Sequence, residues 1–252
     1  MIPFFRKLRK QFADDNKPAK YFRYAIGEII LVVIGILIAL QINNWNSDRI
    51  NLKESNQFKI RLLNEVKSNI QIITSEIEDE KAIINANLSI LNMFHVNKEN
   101  QNARTLDSLI YIGMIHNQAK LNLGTLNEGL NTGKISLIES DSLRSLLYDF
   151  PTLVENMISR EKYNNDDIDY FFTPFLYDHL SFRQMDGVHS RYKDQIGSSK
   201  FMDYNNLEIL QSMKFENLID NRYYNSNGQM ETYEEIRINL ERLKRLIDAS
   251  LK

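Results

Sequence analysis

Hydrophobic residues recur every three or four positions along most of the chain, which is the spacing of amphipathic α-helices. After residue 60 the spacing becomes that of a heptad, with apolar residues at Leu63, Val66, Ile70, Ile73, Ile77, Ile84 and Leu91. This pattern predicts a long first helix with a coiled-coil-like seam, ending before the loop 97–104. Polar Glu80 and Asn87 interrupt the seam. The interruption favours a helix in a mixed bundle over a free two-stranded coiled coil.

The middle of the chain predicts several shorter helices. Apolar stripes in 106–114 and 123–130 indicate two of them, and we expect Gly133 to end the second in a left-handed conformation. Ser140 or Ser142 can cap the next helix, whose apolar period continues across Pro151, so that a kink or a new helix start is expected there. A further helix is expected to begin near Asp166.

The C-terminal part predicts one irregular connection and one long helix. Residues 181–206 show no clear period, whereas the last helix is expected from about Phe215 to Leu251, with apolar residues at Tyr233, Ile236, Leu240, Leu243 and Ile247. No segment shows the sustained alternation of a strand. The predicted fold is therefore all-α: an N-terminal transmembrane helix followed by an extramembrane helical bundle with long, coiled-coil-like first and last helices.

One segment near the N-terminus is apolar on every face. Residues 24–40 carry one charge, and Tyr21, Tyr24 and Trp45 lie where aromatic rings mark the two membrane interfaces, so residues 21–45 predict a transmembrane helix. A buried helix of a soluble protein would rarely lack a polar face. A cleaved signal peptide is also less favoured, because the apolar run begins far from Met1 and no small-x-small site follows Leu40.

The charges that flank this segment predict its orientation. Lysines and arginines are concentrated before the span, which places the N-terminus in the cytoplasm and residues 46–252 on the other side of the membrane. Residues 1–20 form a basic amphipathic segment that is expected to lie on the inner leaflet. Four cations of this segment are expected to contact lipid, namely Arg6, Lys7, Arg9 and Lys10.

Polar and small residues within the span suggest a helix contact. Glu28 lies about one turn inside the apolar segment, where its carboxylate either reaches the interface and pairs with Lys20 or Arg23, or contacts another membrane helix. Gly35 and Ala39 form a small-xxx-small pair that permits close helix packing. We therefore expect Glu28, Gly35 and Ala39 to contact another membrane protein or a second copy of the chain.

The block YAIGEIILVVIGILIALQINNWN, residues 24–46, preceded by FFRKLRKQ, resembles the signature of an uncharacterised family of small single-pass membrane proteins from Gram-negative bacteria. The close resemblance covers about 40 residues. It implies a bacterial inner-membrane protein with a periplasmic helical domain, and it implies no activity and no catalytic residue.

Composition and motifs argue against several kinds of chemistry and binding. The chain has 252 residues, a net charge of -2 and no cysteine, which excludes disulfides and argues against nucleic-acid binding. Residues 129–134, GLNTGK, lack the spacing and the Ser or Thr of a phosphate loop. The acidic group Asp166, Asp167 and Asp169 is interpreted as helix-start residues rather than as calcium ligands. We expect no cofactor, no metal and no catalytic site.

Seven aromatic residues crowd a short segment, namely Tyr163, Tyr170, Phe171, Phe172, Phe175, Tyr177 and Phe182. Packing in the core is the first interpretation, and a groove for a partner or a ligand is the second. The sequence thus favours a non-enzymatic binding or scaffolding module at the membrane. The alternatives are an exported ligand sensor that signals through a partner protein and an enzyme with a dispersed site.

Overall fold

The computed structural model describes residues 18–201 and 203–251, and these residues form helices and connecting loops without a strand. The helices are α1 (Pro18–Met93), α2 (Ala103–Gly113), α3 (Gly124–Thr132), α4 (Asp141–Asp167), α5 (Thr173–His179), α6 (Phe182–His189), α7 (Lys193–Ile196) and α8 (Met213–Ser250). A π-helical turn, Ile168–Phe172, joins α4 to α5. Short 3-10 turns occupy Lys98–Asn100, Lys134–Leu137 and Asn206–Gln211. The prediction of an all-α fold with long first and last helices is confirmed.

The chain divides into two compact units, with the boundary between Asn56 and Gln57. The second unit has two apolar clusters. The first cluster contains Phe58, Leu62, Ile73 and Ile77 of α1 together with residues of α4 and the C-terminal half of α8. The second cluster contains Ile90 of α1, residues of α2 and α5, and the start of α8. Both long helices therefore contribute to both clusters.

Side chains at the helix ends account for where several helices begin. Asn102, Ser140 and Ser212 each accept a hydrogen bond from the backbone N–H three residues later, and so cap α2, α4 and α8. Of the two serines considered as caps for α4, Ser140 is the one that binds. Gly133 has φ 72°, so it ends α3 in the left-handed conformation that was predicted.

Gly129 permits a close approach between α3 and α1. A Cβ atom at this position would overlap the ring of Phe58, which is fully buried. Glycine is therefore required here by packing and not by its backbone freedom. The GLNTGK segment thus serves the fold at both of its glycines.

Three local predictions are wrong. Of the two alternatives at Pro151, the new helix start is wrong, because α4 is continuous from Asp141 to Asp167 with Pro151 inside it, and the kink stays a prediction. The acidic group near Asp166 does not start a helix, because it lies at the end of α4 and in the π-helical turn. Its carboxylates bind elsewhere: Asp167 accepts from Asn221 and Asp169 lies 2.9 Å from His116. The connection 181–206 contains two short helices, α6 and α7.

The heptad prediction holds only in its first half. In α1 the buried stripe passes to Ile83 and Ile90, whereas Ile84 and Leu91 are half-buried. Glu80 and Asn87 remain on the buried face, at 3% and 0% exposure. The interior of the bundle is therefore polar at these two positions.

Candidate functional site

The N-terminal part of α1 has the properties of a membrane segment. It is the one stretch of the described residues that is long and apolar enough to cross a bilayer, with a mean hydropathy of 2.6. Its large apolar side chains from Ile29 to Leu40 are 47–63% exposed. An apolar helix surface exposed on all faces is typical of a helix in lipid.

The predicted contact residues of this helix share one face. At about 100° per residue, Glu28, Gly35 and Ala39 lie within roughly 40° of one another around α1. Among the residues that the structure describes, none has an atom within 4 Å of a Cβ added to Gly35. The face is open to a second helix.

Of the three aromatic residues predicted to mark the membrane interfaces, the structure describes the side chain of one. Trp45 is exposed and stacks with Arg49, whose guanidinium carbon lies 5.8 Å from the ring centroid. Tyr21 and Tyr24 lie on α1, but their side chains fall outside the description. The four cations that are predicted to contact lipid lie outside the described residues, namely Arg6, Lys7, Arg9 and Lys10.

The aromatic segment divides between core and surface. Phe172 and Phe175 are buried in the second apolar cluster. Tyr170, Phe171 and Tyr177 are 62–70% exposed, and Tyr163 is 56% exposed. Packing thus explains only part of this segment, and several of its rings face solvent.

A surface groove of about 370 Å3 runs beside these rings. We call it the aromatic groove; it is lined by Tyr170, Phe171, Pro174, Phe175, Asp178, His179, Ser212 and Lys214. His179 stacks on Phe175 with ring centroids 4.0 Å apart, and Lys214 Nζ lies 5.4 Å from the same ring. The groove combines apolar walls with an ammonium, an imidazole and a carboxylate.

A second feature is a layer of buried polar side chains inside the bundle. We call it the polar layer; it consists of Glu80, Asn87, Asn117, Glu161, Asn164, Arg222, Asn225, Ser226 and Gln229, each at most 9% exposed. Along both α1 and α8 it separates the two apolar clusters. Part of it lines a small cavity of about 10 Å3, enough for one water molecule.

Some members of the polar layer are well bonded. Asn117 Nδ2 donates to Glu80 Oε2 at 2.7 Å. Glu161 Oε1 accepts from the Ala119 N–H at 2.7 Å and from the Tyr233 hydroxyl at 2.8 Å. Arg222 donates to the Gly113 carbonyl at 3.0 Å. These bonds tie α1, α4 and α8 to the loops around α2.

Other atoms of the layer lack a hydrogen-bond partner among the described protein atoms. They include Asn164 Oδ1, Arg222 Nε and Gln229 Nε2, whose residues line the cavity, as well as Asn225 Nδ2. Each unpaired buried polar atom costs about 1–3 kcal/mol. Several together would remove much of the ~5–15 kcal/mol stability of a typical domain. The cavity beside these atoms has room for one water molecule, which is the size of group that can bond to them.

Burial shifts the titration of this layer. Loss of solvation raises the pKa of Glu80 and of Glu161 above the ordinary carboxyl value. The same cause raises the pKa of Asp167 and lowers that of Arg222. Neighbouring opposite charges oppose these shifts for Glu80, Asp167 and Arg222. Burial therefore disfavours the charged forms of these groups relative to water.

The π-helical turn lies next to the polar layer. Ile168 begins this turn and also lines the cavity. Such turns interrupt the regular hydrogen bonds of a helix and occur frequently at functional sites. The turn also carries Tyr170 and Phe171 into the aromatic groove.

Buried side chains hold the extended segment 115–123, which we call the strap, along the bundle. Asn69 both donates to the Asn122 carbonyl at 2.7 Å and accepts from the Asn122 N–H at 2.8 Å. Glu65 then accepts from the Thr125 and Leu126 N–H groups at the start of α3. The strap is therefore fixed by side chains, not by pairing with another backbone segment.

The polar layer was not predicted, although the sequence carries a signal for it. The apolar stripe that was recognised in α8 begins at Tyr233. The same period continues towards the N-terminus through Gln229, Ser226 and Arg222 to Ile219. Polar residues at inward positions of an otherwise apolar stripe indicate a buried polar layer.

Comparison of the chain with protein-family models, with curated proteins and with solved structures finds no significant match. Within the described residues, no three or more histidine and acidic side chains form a group that could hold a metal ion. The resemblance of residues 24–46 to a family of single-pass membrane proteins stays a prediction.

Proposed function

We propose that the protein is a non-enzymatic binding module anchored in a bacterial inner membrane. Residues 1–20 lie in the cytoplasm, residues 21–45 cross the membrane, and residues 46–252 form the periplasmic domain. The exposed apolar surface of α1 and the excess of basic residues before the span support this topology.

The observation that carries the binding role is the aromatic groove. Exposed aromatic side chains are enriched at protein interfaces, because a ring buries a large area at a low cost in conformational entropy. Tyr170 and Phe171 are 70% and 62% exposed, which leaves most of their apolar surface to a partner. The partner is a protein whose apolar side chains enter the groove and whose polar groups meet Asp178 and Lys214.

The binding role is tested by purifying the full-length protein in a mild detergent and identifying copurifying proteins by mass spectrometry. The double variant Tyr170→Ala and Phe171→Ala should lose a partner that the wild type retains. Tyr148→Ala is the matched control, because Tyr148 is 52% exposed but does not line the groove. Identical sets of proteins from all three samples would contradict a role for the groove.

The membrane helix contributes a second contact in this proposal. Glu28, Gly35 and Ala39 face a second membrane helix, which belongs either to the partner or to another copy of the chain. Small residues allow the helix backbones to approach, and a carboxyl group in lipid gains from a hydrogen-bonding neighbour. The anchor therefore selects its neighbour as well as fixing the domain to the membrane.

A second candidate function is that of an exported ligand sensor. The aromatic groove is about 370 Å3, within the ~300–1,000 Å3 range of small-molecule sites. A thermal-shift screen of small molecules against the full-length protein in detergent separates the two functions. A ligand that raises Tm for the wild type and not for Phe171→Ala would favour the sensor.

A further inference from the structure

The small cavity in the polar layer has the size of a site for one molecule of water. Its volume is about 10 Å3, which lies at the lower limit of what a buried water molecule needs. The lining includes Glu80 of α1, Asn117 of the strap, Asn164 of α4 and Gln229 of α8. The cavity is therefore bordered by every segment that meets in this part of the layer.

Three of the lining side chains present a polar atom that has no hydrogen-bond partner among the described protein atoms. These atoms are Asn164 Oδ1, Arg222 Nε and Gln229 Nε2. Their residues are 6%, 2% and 1% exposed, so bulk solvent does not replace the missing partner. Buried polar groups in folded proteins are generally bonded, either to protein atoms or to an ordered water molecule.

The orientations of the two amide groups are fixed by bonds that they make elsewhere. Asn164 Nδ2 donates to the Asn225 carbonyl and to Gln229 Oε1, each at 3.3 Å. Rotating either amide by half a turn would place two donors or two acceptors against each other. Rotating both would bring Asn164 Oδ1 against the Asn225 carbonyl oxygen. An exchange of amide oxygen and nitrogen therefore does not supply the missing partners.

The guanidinium group of Arg222 is held in a similar way. Its Nη2 donates to the carbonyl of Gly113 at 3.0 Å, at the last residue of α2. Because the guanidinium group is planar and rigid, this bond also restricts the direction of the Nε–H group. Arg222 thus spends one end of its fork on α2 and leaves the Nε–H group for another acceptor.

The mixture of donors and acceptor determines which ligand fits. The group must accept from Arg222 Nε and Gln229 Nε2 and must donate to Asn164 Oδ1. Water does both, and buried water molecules typically make about three hydrogen bonds. A metal cation cannot accept from N–H groups and would meet the charge of Arg222. A halide cannot donate to an amide oxygen and would meet the carboxyl groups of Glu80 and Glu161.

We propose that the cavity binds one structural water molecule, which accepts from Arg222 and Gln229 and donates to Asn164. The water links α4 to α8 between the two apolar clusters. Ile168, the first residue of the π-helical turn, lines the same cavity, so the water also lies beside that turn. This site is independent of what binds in the aromatic groove.

The direct test is a crystal structure of the full-length protein, purified in detergent, at a resolution that shows ordered water. We expect one water peak in the cavity, within about 3.2 Å of at least two of Asn164 Oδ1, Arg222 Nε and Gln229 Nε2. No peak beside well-ordered side chains would overturn the proposal. Direct hydrogen bonds among the three side chains would overturn it as well.

Ion replacement in the crystal distinguishes water from the other ligands of similar size. Crystals are grown with bromide in place of chloride, and others with rubidium in place of sodium. Both ions give an anomalous signal that water lacks. The cavity should show no anomalous peak in either crystal. A bromide or rubidium peak there would identify an ion site and contradict the proposal.

A solution measurement tests the same contact without a crystal. In a rotating-frame Overhauser experiment, the Arg222 Nε–H group should show a cross-peak at the water frequency with the sign of a dipolar contact, which is opposite to that of hydrogen exchange. Arg160 Nε is the matched control, because it is also buried and without a partner among the described protein atoms but does not line the cavity. A missing cross-peak at Arg222, or equal cross-peaks at both arginines, would contradict the site.

Discussion

Glu65 caps a helix that has no cap of its own, and its removal tests how the strap is held. Leu123 precedes α3 and offers no side chain to the first N–H groups of that helix. Glu65 of α1 takes this role, accepting from Thr125 N–H at 2.5 Å and from Leu126 N–H at 3.0 Å. The carboxylate is 7% exposed. Glu65→Ala therefore leaves two N–H groups without their acceptor.

The cost can be worked out from these two bonds. Leu126 is buried, so its orphaned N–H costs about 1–3 kcal/mol, and the partly buried Thr125 N–H adds about 1 kcal/mol. We expect a loss of about 2–4 kcal/mol in the free energy of unfolding. For a domain of this size each kcal/mol lowers Tm by about 2–4 °C, so the expected fall is about 4–16 °C.

Thermal unfolding of the full-length protein in detergent, followed by far-ultraviolet circular dichroism, measures this fall. Glu65→Gln should fall between the wild type and the alanine variant, because its single carbonyl oxygen can still accept. Glu78→Ala is the control, since the exposed Glu78 pairs with Lys81 at the surface and its loss should change stability by less than about 1 kcal/mol. Equal Tm values for Glu65→Ala and Glu78→Ala would refute the capping role.

Three further predictions concern packing, acid stability and the membrane helix. Gly129→Ala should lower Tm, because overlap of the new methyl group with Phe58 costs about 1–3 kcal/mol and outweighs the helix-propensity gain of up to ~1 kcal/mol. In urea titrations, the free energy of unfolding of Glu128→Gln should fall less than that of the wild type as the pH drops below about 4.5. Arg61 holds the pKa of Glu128 at about 2, so the stability that this carboxylate contributes to the wild type disappears as the pH falls towards that value. Glu28→Leu should leave membrane insertion intact and reduce copurification of a partner helix or self-association.

Two of these predictions have a matched control variant, and each of the three has an outcome that would contradict it. Gly187→Ala should raise Tm slightly, because no atom lies within 4 Å of its added Cβ, so a fall in both glycine variants would contradict the packing argument. In the acid titration, the same dependence of stability on pH in Glu128→Gln and in the wild type would contradict a stabilising ion pair between Glu128 and Arg61. Leu37→Ile changes shape within the membrane helix without adding bulk. If it reduced association as much as Glu28→Leu, the helix contact would not be specific.

The sequence predicted helix type and rough extent well, because apolar period and capping residues are local signals. Ser140, Gly133 and the stripe from Tyr233 to Ile247 illustrate this. Errors arose where tertiary contacts override local preference. The acids after residue 165 resembled a helix start, but Asp167 and Asp169 bind residues far away in the sequence, and the helix continues into a π-helical turn.

The sequence predicted two of the candidate sites and missed the third, because only the first two have a signal within one segment of the chain. The helix that is long and apolar enough to cross a membrane was predicted because its signal is continuous, and a groove at the aromatic segment was the second interpretation of that segment. The polar layer was missed because its members come from four parts of the chain. Glu80 and Asn87 were noticed as interruptions of a seam, but only the fold brings Arg222 opposite to them.

The most direct test of the central claim is the membrane topology of the intact protein. Because the chain has no cysteine, single introduced cysteines report their own position without background. The exposed Ser145 is replaced by cysteine in one variant, Ala13 in another, and both are expressed in a Gram-negative bacterium. In spheroplasts a membrane-impermeant maleimide should label Ser145→Cys, and it should label Ala13→Cys only after lysis. Labelling of both sites before lysis, or the reverse pattern, would contradict the proposed single-pass topology.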